Sequence, residues 1–435
     1  MSPLKQMMSL LVARGLGKAF AISCAPLLFW GCGSNATDTA GVAGQGGTAG
    51  QAGVAGSAGS NLSGGAGSPS AGQATGGTAA GTSSGGVGGA GAATGGAGGS
   101  VAGTAGQGGA APMLEPGLRW LGRVEKTATG ARIAWPGTGF TARFNGTAAK
   151  VSMKTNQIDY FQLVVDGQVK LLTTQVGAHD YDVAQNLPAA EHTVTLWRRT
   201  ENNAGVVEIT KVDFVGTLLS PPPPSNKRLE IVGDSISVGF GVECQTQAEA
   251  FSFATENNYQ TYEAISAREL GAELMTMAWS GMGMWRDVGG STTSQMPEHY
   301  LRAIGSDAAS KWDFASYTPG AVVVLLGTND FAKGDPGQPF LDAYKQFVAD
   351  MRGRYPLAHI FLAHSPMLSG DRGTALAGYL DQVKSARAAA GDLNIGVVDF
   401  KPPAADAWGC GHPNGATHAI MAGVLTQALK QDLGW

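Results

Sequence analysis

Three separated motifs in this chain of 435 residues carry groups able to cooperate in acyl transfer. The first is Ile231-Val232-Gly233-Asp234-Ser235-Ile236-Ser237, where two β-formers run into a tight turn and a serine. The second is Gly327-Thr328-Asn329-Asp330, directly after the apolar run 321–326. The third is Gly409-Cys410-Gly411-His412-Pro413-Asn414, ahead of a helix-like stretch. Ser–His catalysis requires a hydroxyl, a base within hydrogen-bond reach of it, and donors aimed at the developing oxyanion. Ser235, His412 and Asn329 supply one group for each role, and Asp234 is expected to hold the turn. Other readings exist for each residue alone. Gly-Asp-Ser also makes ordinary turns, Ser235 could cap the helix that follows, and Asn329 could cap a strand end. The order of the motifs and their strand contexts favour the catalytic reading.

The elements that must position these groups follow from pattern. Stretches 228–233, 273–278, 321–326, 359–363 and 395–400 read as strands, and helix-like segments separate them. The run Ala321-Val322-Val323-Val324-Leu325-Leu326 has no polar member, as a strand buried on both faces of a parallel sheet requires. Alternation of this kind predicts a three-layer α/β domain. Active groups of open α/β sheets gather outside the carboxyl ends of the strands.

Residues 118–219 read instead as all-β, with strand candidates at 132–135, 140–144, 150–153, 160–165, 192–197 and 206–209. Turn signals such as Asp166-Gly167 separate them, which suggests a sandwich or jelly roll. Pro221-Pro222-Pro223-Pro224 then interrupts regular structure as a stiff spacer. From Gly33 to about Pro112 the chain is mostly Gly, Ala, Ser, Thr and Gln, with a single charge, Asp38. It has too few apolar side chains to offset the entropy of ordering and reads as a tether, with a typical span of about 50 Å.

Lys5, Arg14 and Lys18 precede an apolar run that ends in Phe29-Trp30-Gly31-Cys32. This has the form of a secretory signal and resembles a bacterial lipoprotein cleavage box with Cys32 as the lipidated residue. It departs from the usual box at positions 29 and 30. A plain secretory signal is the alternative. Cleavage before Cys32 removes three positive charges and no negative one, taking the formal net charge from −4 to −7. That balance gives no electrostatic case for nucleic acid or anionic membrane surfaces as partners. The expected organisation is a signal (1–31), a tether (32–116), a β-domain (117–219), a proline-rich linker (220–226) and an α/β domain (227–435).

On the Ser, Gly, Asn and His motifs the chain resembles the GDSL/SGNH hydrolases. The stretches Leu121-Gly122-Arg123, Ile133-Ala134-Trp135-Pro136-Gly137, Arg143-Phe144-Asn145-Gly146-Thr147 and Val165-Asp166-Gly167 look like the N-terminal β-domain of carbohydrate esterase family 2. The resemblance covers about residues 118–435 and implies a small jelly roll before an SGNH domain. It also implies a serine esterase that removes acetyl groups from a polysaccharide of the acetylated xylan or glucomannan type. Within Ser280-Gly281-Met282-Gly283, Gly281 best matches the glycine whose N–H joins Ser235 N–H and Asn329 in the oxyanion hole, and Gly283 is second.

Many superfamily members carry an aspartate three residues before the histidine, where this chain has Gly409. Family 2 esterases work with a Ser–His dyad, so the departure fits them. Asp406 or a backbone carbonyl then orients the other ring nitrogen. Cys244 follows the serine's turn and Cys410 precedes His412, so a meeting of Ser235 and His412 brings the cysteines together. In an exported protein a disulfide follows, with two buried thiols as the alternative. Trp285, Trp408, Tyr259 and Tyr262 are candidates for stacking on sugar rings, although such residues are more often core. No His/Cys/Asp cluster has metal-ligand spacing, and neither a metal nor another cofactor is expected. The expected partners are an acetylated polysaccharide and, through the lipid, a membrane. The rival readings are a lipase or thioesterase on the same fold and a catalytically silent surface protein that binds carbohydrate.

Overall fold

The structure is a computed structural model, and it describes residues 117–128, 130–402, 404 and 407–435. The expectations placed on the signal, the tether, Cys32 and Asp406 fall outside the described residues. Among those described, no helix is long and apolar enough to cross a membrane.

The α/β domain is built on five parallel strands in the order Glu273–Ala278, Arg228–Gly233, Ala321–Leu325, His359–His364 and Ile395–Asp399. Side chains of the inner strands alternate between two packed layers. Leu229, Ile231, Val323 and Leu325 face the helices Tyr262–Leu270 and Gly415–Leu433, meeting Ala267, Leu425 and Leu429. Val232, Val322 and Val324 face the helices Gln338–Arg354 and Gly370–Ala389, meeting Phe340, Tyr344 and Leu380. Both faces are covered, which is why the central strand Ala321–Leu325 is continuously apolar. Each fully buried aliphatic contributes roughly 1.5–3 kcal/mol.

The β-domain is a nine-stranded antiparallel assembly around the long strands Gly139–Thr155 and Val207–Leu219. Residues 139–146 of the first pair with Ala190–Arg198, and residues 149–155 pair with Gly177–Ala184. The strand therefore passes from one layer of the sandwich to the other, with register shifts near Gly146 and Ala149. The corner requires glycine. A Cβ on Gly146 would lie 2.0 Å from the Val215 carbonyl oxygen, and one on Gly216 2.1 Å from that of Asn145. Stretches 140–144 and 150–153, read from sequence as separate strands, are thus halves of one bent strand. Strands Gln168–Thr173 and Gly177–Ala184 were not expected. In the first, the apolar members Val169 and Leu171 are exposed, and in the second the alternation is short, with buried Tyr181 and Val183 alternating with exposed Asp180 and Asp182.

The two domains share a polar seam. Arg132 pairs with Asp307 at 3.0 Å, Trp135 Nε1 donates to the Arg302 carbonyl at 3.3 Å, and Asn258 N–H donates to the Arg199 carbonyl at 2.9 Å. Glu230, buried on a central strand, accepts from Tyr300 and Tyr355 hydroxyls at 2.5 and 3.0 Å, with Arg123 of the β-domain 3.9 Å away. Burial raises its pKa, and Arg123 and the tyrosines oppose that shift.

Candidate active site

Ser235 stands just past the strand Arg228–Gly233, at the first position of the one-turn helix Ser235–Val238. The cap of that helix is Asp234, not Ser235. Asp234 Oδ1 accepts from Ile236 N–H at 3.0 Å, and burial raises the Asp234 pKa to about 7. Gly239 ends the turn at φ 81°, and a Cβ there would meet the Asn257 backbone at 2.8 Å. The serine is therefore fixed at the carboxyl edge of the sheet by a cap before it and a glycine after it.

His412 reaches Ser235 from the other end of the domain's sequence. Strands Trp408–Gly409 and His412–Pro413 form a hairpin whose two connecting residues, Cys410 and Gly411, both have positive φ, at 52° and 74°. A two-residue turn of this hand matches the twist of paired strands. The Ser235 hydroxyl donates to His412 Nε2 at 2.8 Å, and the Cys410 carbonyl faces Nδ1 at 3.5 Å. That placement favours the tautomer protonated on Nδ1, which leaves Nε2 free to accept. Burial lowers the imidazole pKa to about 4, with the Cys410 carbonyl opposing, so the ring is neutral at ordinary pH. Phe240 lies against the imidazole at 4.2 Å between ring centroids, and Phe251 stacks on Phe240 at 3.6 Å.

Cys244 and Cys410 form a disulfide. The Cys410 N–H also donates to the Thr246 carbonyl at 2.8 Å. Close packing here explains the glycine at 409. A Cβ on Gly409 would lie 2.6 Å from the Cys244 carbonyl oxygen and 2.7 Å from that of Gly241. No aspartate fits at this position without moving the backbone.

Past the end of the neighbouring strand Ala321–Leu325, Asn329 is buried and donates one Nδ2 hydrogen to the Met282 carbonyl at 2.8 Å. Its second hydrogen remains for another acceptor. Gly281 has φ 83°, and its N–H has no partner among the described residues, whereas the Gly283 N–H donates to Gln295 Oε1 at 3.2 Å. That contrast favours Gly281 over Gly283 as an oxyanion donor. Asp330, quoted in the motif but given no role from sequence, fixes this loop. Its carboxylate accepts from the N–H groups of Met284, Trp285 and Arg286 at 2.8–2.9 Å. Burial is the largest influence on Asp330 and raises its pKa, against the three amides.

The remaining candidates divide. Trp408 shares the hairpin with His412, and Trp285 lies in the loop fixed by Asp330; both are part-buried. Tyr262 is fully buried against Ser237 and His418, whereas Tyr259 is part-buried, with Arg268 over one face and Trp197 edge-on beside it. His418 accepts from the Tyr262 N–H and is a packing residue. Among described residues, one cluster of side chains has metal-like geometry: Cys244, Glu249 and Cys410. Its two sulfurs are bonded to each other, which removes the thiolates a metal would need.

Residues 120–223 match the carbohydrate esterase 2 N-terminal family, and residues 231–420 match the GDSL-like lipase/acylhydrolase family. The cellulase/esterase CelE of Acetivibrio thermocellus is 34% identical over 327 residues, which cover 74% of this chain and 40% of that protein. The chain thus spans well under half the length of that relative. An acetylxylan esterase / glucomannan deacetylase of Cellvibrio japonicus is 25% identical over 332 residues, covering 74% of this chain and 90% of the relative. The solved structure of a family two carbohydrate esterase from Clostridium thermocellum, in complex with cellohexaose, is 34% identical with a TM-score of 0.71, covering 73% of this chain and all of that one. With that identity carried across the whole of the solved esterase, and with both of its layers of architecture present, the chain belongs to carbohydrate esterase family 2.

Proposed function

We propose that this protein is a serine esterase that removes acetyl groups from a plant-type polysaccharide such as acetylated xylan or glucomannan. The observation that carries the proposal is the 2.8 Å contact from Ser235 Oγ to a neutral His412 Nε2, past the end of a strand flanked by those that lead to Gly281 and Asn329. The names of the Acetivibrio and Cellvibrio relatives support the substrate class. Ser235 Oγ attacks the acetyl carbonyl while His412 Nε2 takes its proton. The oxyanion is met by the N–H groups of Ser235 and Gly281 and by Asn329 Nδ2. As the intermediate collapses, the imidazolium returns the proton to the departing sugar oxygen, leaving an acetyl-serine. Water activated by the same imidazole then releases acetate. The backbone carbonyl of Cys410 takes the orienting part that a carboxylate plays in a triad.

Acyl length sets the test. A pocket closed around a methyl group must overpack to admit further methylenes, so kcat/KM falls from acetyl to butyryl. Assays on acyl esters of increasing length, beside acetylated xylan and glucomannan, check this. A rate that climbs through octanoyl would replace the deacetylase with a lipase. We also propose export with lipid attachment at Cys32, motivated by the cleavage-box resemblance. Mass spectrometry of the mature N-terminus decides it, an unmodified first residue being the contrary result.

A further inference from the structure

The loop that carries Gly281 is gripped from the β-domain as well as from its own domain. Ser280 N–H, one residue before Gly281, donates to Glu201 Oε2 at 2.8 Å. The Trp279 indole N–H donates to Asn203 Oδ1 at 2.9 Å. Trp135 of the β-domain packs edge-on against the Trp279 ring at 6.2 Å between centroids. Glu201 and Asn203 are joined by a 3.2 Å bond; Asn203 lies in the 3-10 helix Asn202–Ala204, Glu201 is its N-cap residue, and Gln157 braces the turn through the Asn203 carbonyl at 2.8 Å. Glu201 is fully buried, so its contact to Ser280 is made away from competing water. The main-chain position of Gly281 follows from the plane of the peptide before it, and that peptide's neighbour is what Glu201 fixes.

We propose that Glu201 and Asn203 are positioning residues for the oxyanion hole, so that the β-domain completes the catalytic geometry of the α/β domain rather than serving only to bind polymer. The proposal rests on the esterase reading above. It identifies neither residue as touching substrate. Each acts through Trp279 and Ser280 on the direction of the Gly281 N–H.

A misplacement of reacting groups on the ångström scale costs about 100-fold in rate. In the full-length protein, Glu201→Ala and Asn203→Ala should therefore lower kcat on an acetyl ester by about 10- to 100-fold, with KM within about threefold of wild type. Glu201→Gln keeps an acceptor for the Ser280 N–H and should recover most of the loss. Asn203 is exposed, so Asn203→Ala carries the test if Glu201→Ala does not fold. Amide hydrogen exchange over residues 279–282 provides a reading independent of turnover, and exchange there should quicken in both alanine variants. Variants with kcat within twofold of wild type, or with KM raised and kcat unchanged, would overturn the proposal. If the wild type turns over no acetyl ester, the esterase reading fails on its own. Exchange then decides the positioning claim, and unchanged protection at 279–282 sinks it.

Discussion

His412 and Gly281, the proposed base and oxyanion donor, stand on two loops that are secured by different chemistry. On the base side, the imidazole is placed by a two-residue hairpin, a disulfide and a backbone carbonyl, with a phenyl ring against its face. On the proposed oxyanion side, two buried carboxylates, Asp330 and Glu201, collect four backbone N–H groups of residues 280–286. The acid that a triad spends on its histidine is sterically barred here at position 409. Carboxylates stand instead where a loop of exposed amides would otherwise be free to turn. The base needs only one rotamer and one tautomer, which covalent geometry can supply. An oxyanion donor must point to within a few tenths of an ångström, which several charge-assisted bonds supply better.

The largest effects should come from breaking the base side outright. Ser235→Ala and His412→Ala should each reduce turnover of an acetyl ester by roughly 10⁴-fold or more, and the double variant should lose little beyond that. Near-normal turnover in either single variant would remove Ser235 and His412 from the chemistry. Asp330→Ala should come next, with a loss of roughly 10²–10³-fold in kcat, the cost typical of a displaced oxyanion donor. A kcat within threefold of wild type would mean that the loop keeps its shape without the carboxylate.

Opening the disulfide should act on stability more than on rate. Replacing Cys244 with Ala and Cys410 with Asn, which tolerates the positive φ, frees a loop of sequence separation 166. On the chain-entropy account the loss is up to about 5 kcal/mol, read as a lower midpoint in denaturant. An unchanged midpoint would leave the hairpin and the Thr246 contact as sufficient anchors. The smallest effects concern what orients the imidazole. With the buried His412 lowered to about 4, the base is neutral above that pH and protonated below it. The acid limb of kcat/KM should accordingly lie near pH 4, well under the ordinary histidine value. If the Cys410 carbonyl suffices, Asp406→Asn should cost less than tenfold. A loss near 10⁴-fold, with the fold intact, would make Asp406 a third member of the site.

How much of this was legible beforehand depended on the range of the signal. The parallel strands announced themselves because burial on both faces leaves an unbroken apolar run, as in Val322-Val323-Val324. Ser235, Asn329 and His412 were legible because each sits at a strand or turn boundary with its own local motif. Gly281 was found through resemblance and not through spacing. The corner at Asn145-Gly146 read as a turn because glycine there serves a crossing of two backbones, which composition cannot distinguish from a chain reversal. Glu201 and Asn203 left no trace. Their partners lie 76 to 79 residues away, and no periodicity links a carboxylate to a backbone amide at that range.

The hairpin that presents His412 has one more consequence, which concerns chain length and not residue identity. Neighbouring side chains on a β-ribbon point to opposite faces, so its register decides which face the imidazole takes. Adding or removing a single residue between Gly409 and His412 would turn the ring away from Ser235 while leaving every proposed catalytic side chain in the sequence. Drift among descendants of this enzyme should therefore accumulate insertions in the exposed stretch 247–250, past the Thr246 anchor, and almost none at 410–411. A library of single-residue insertions, scored for ester turnover, would show whether those two positions are as intolerant as the turn's geometry requires.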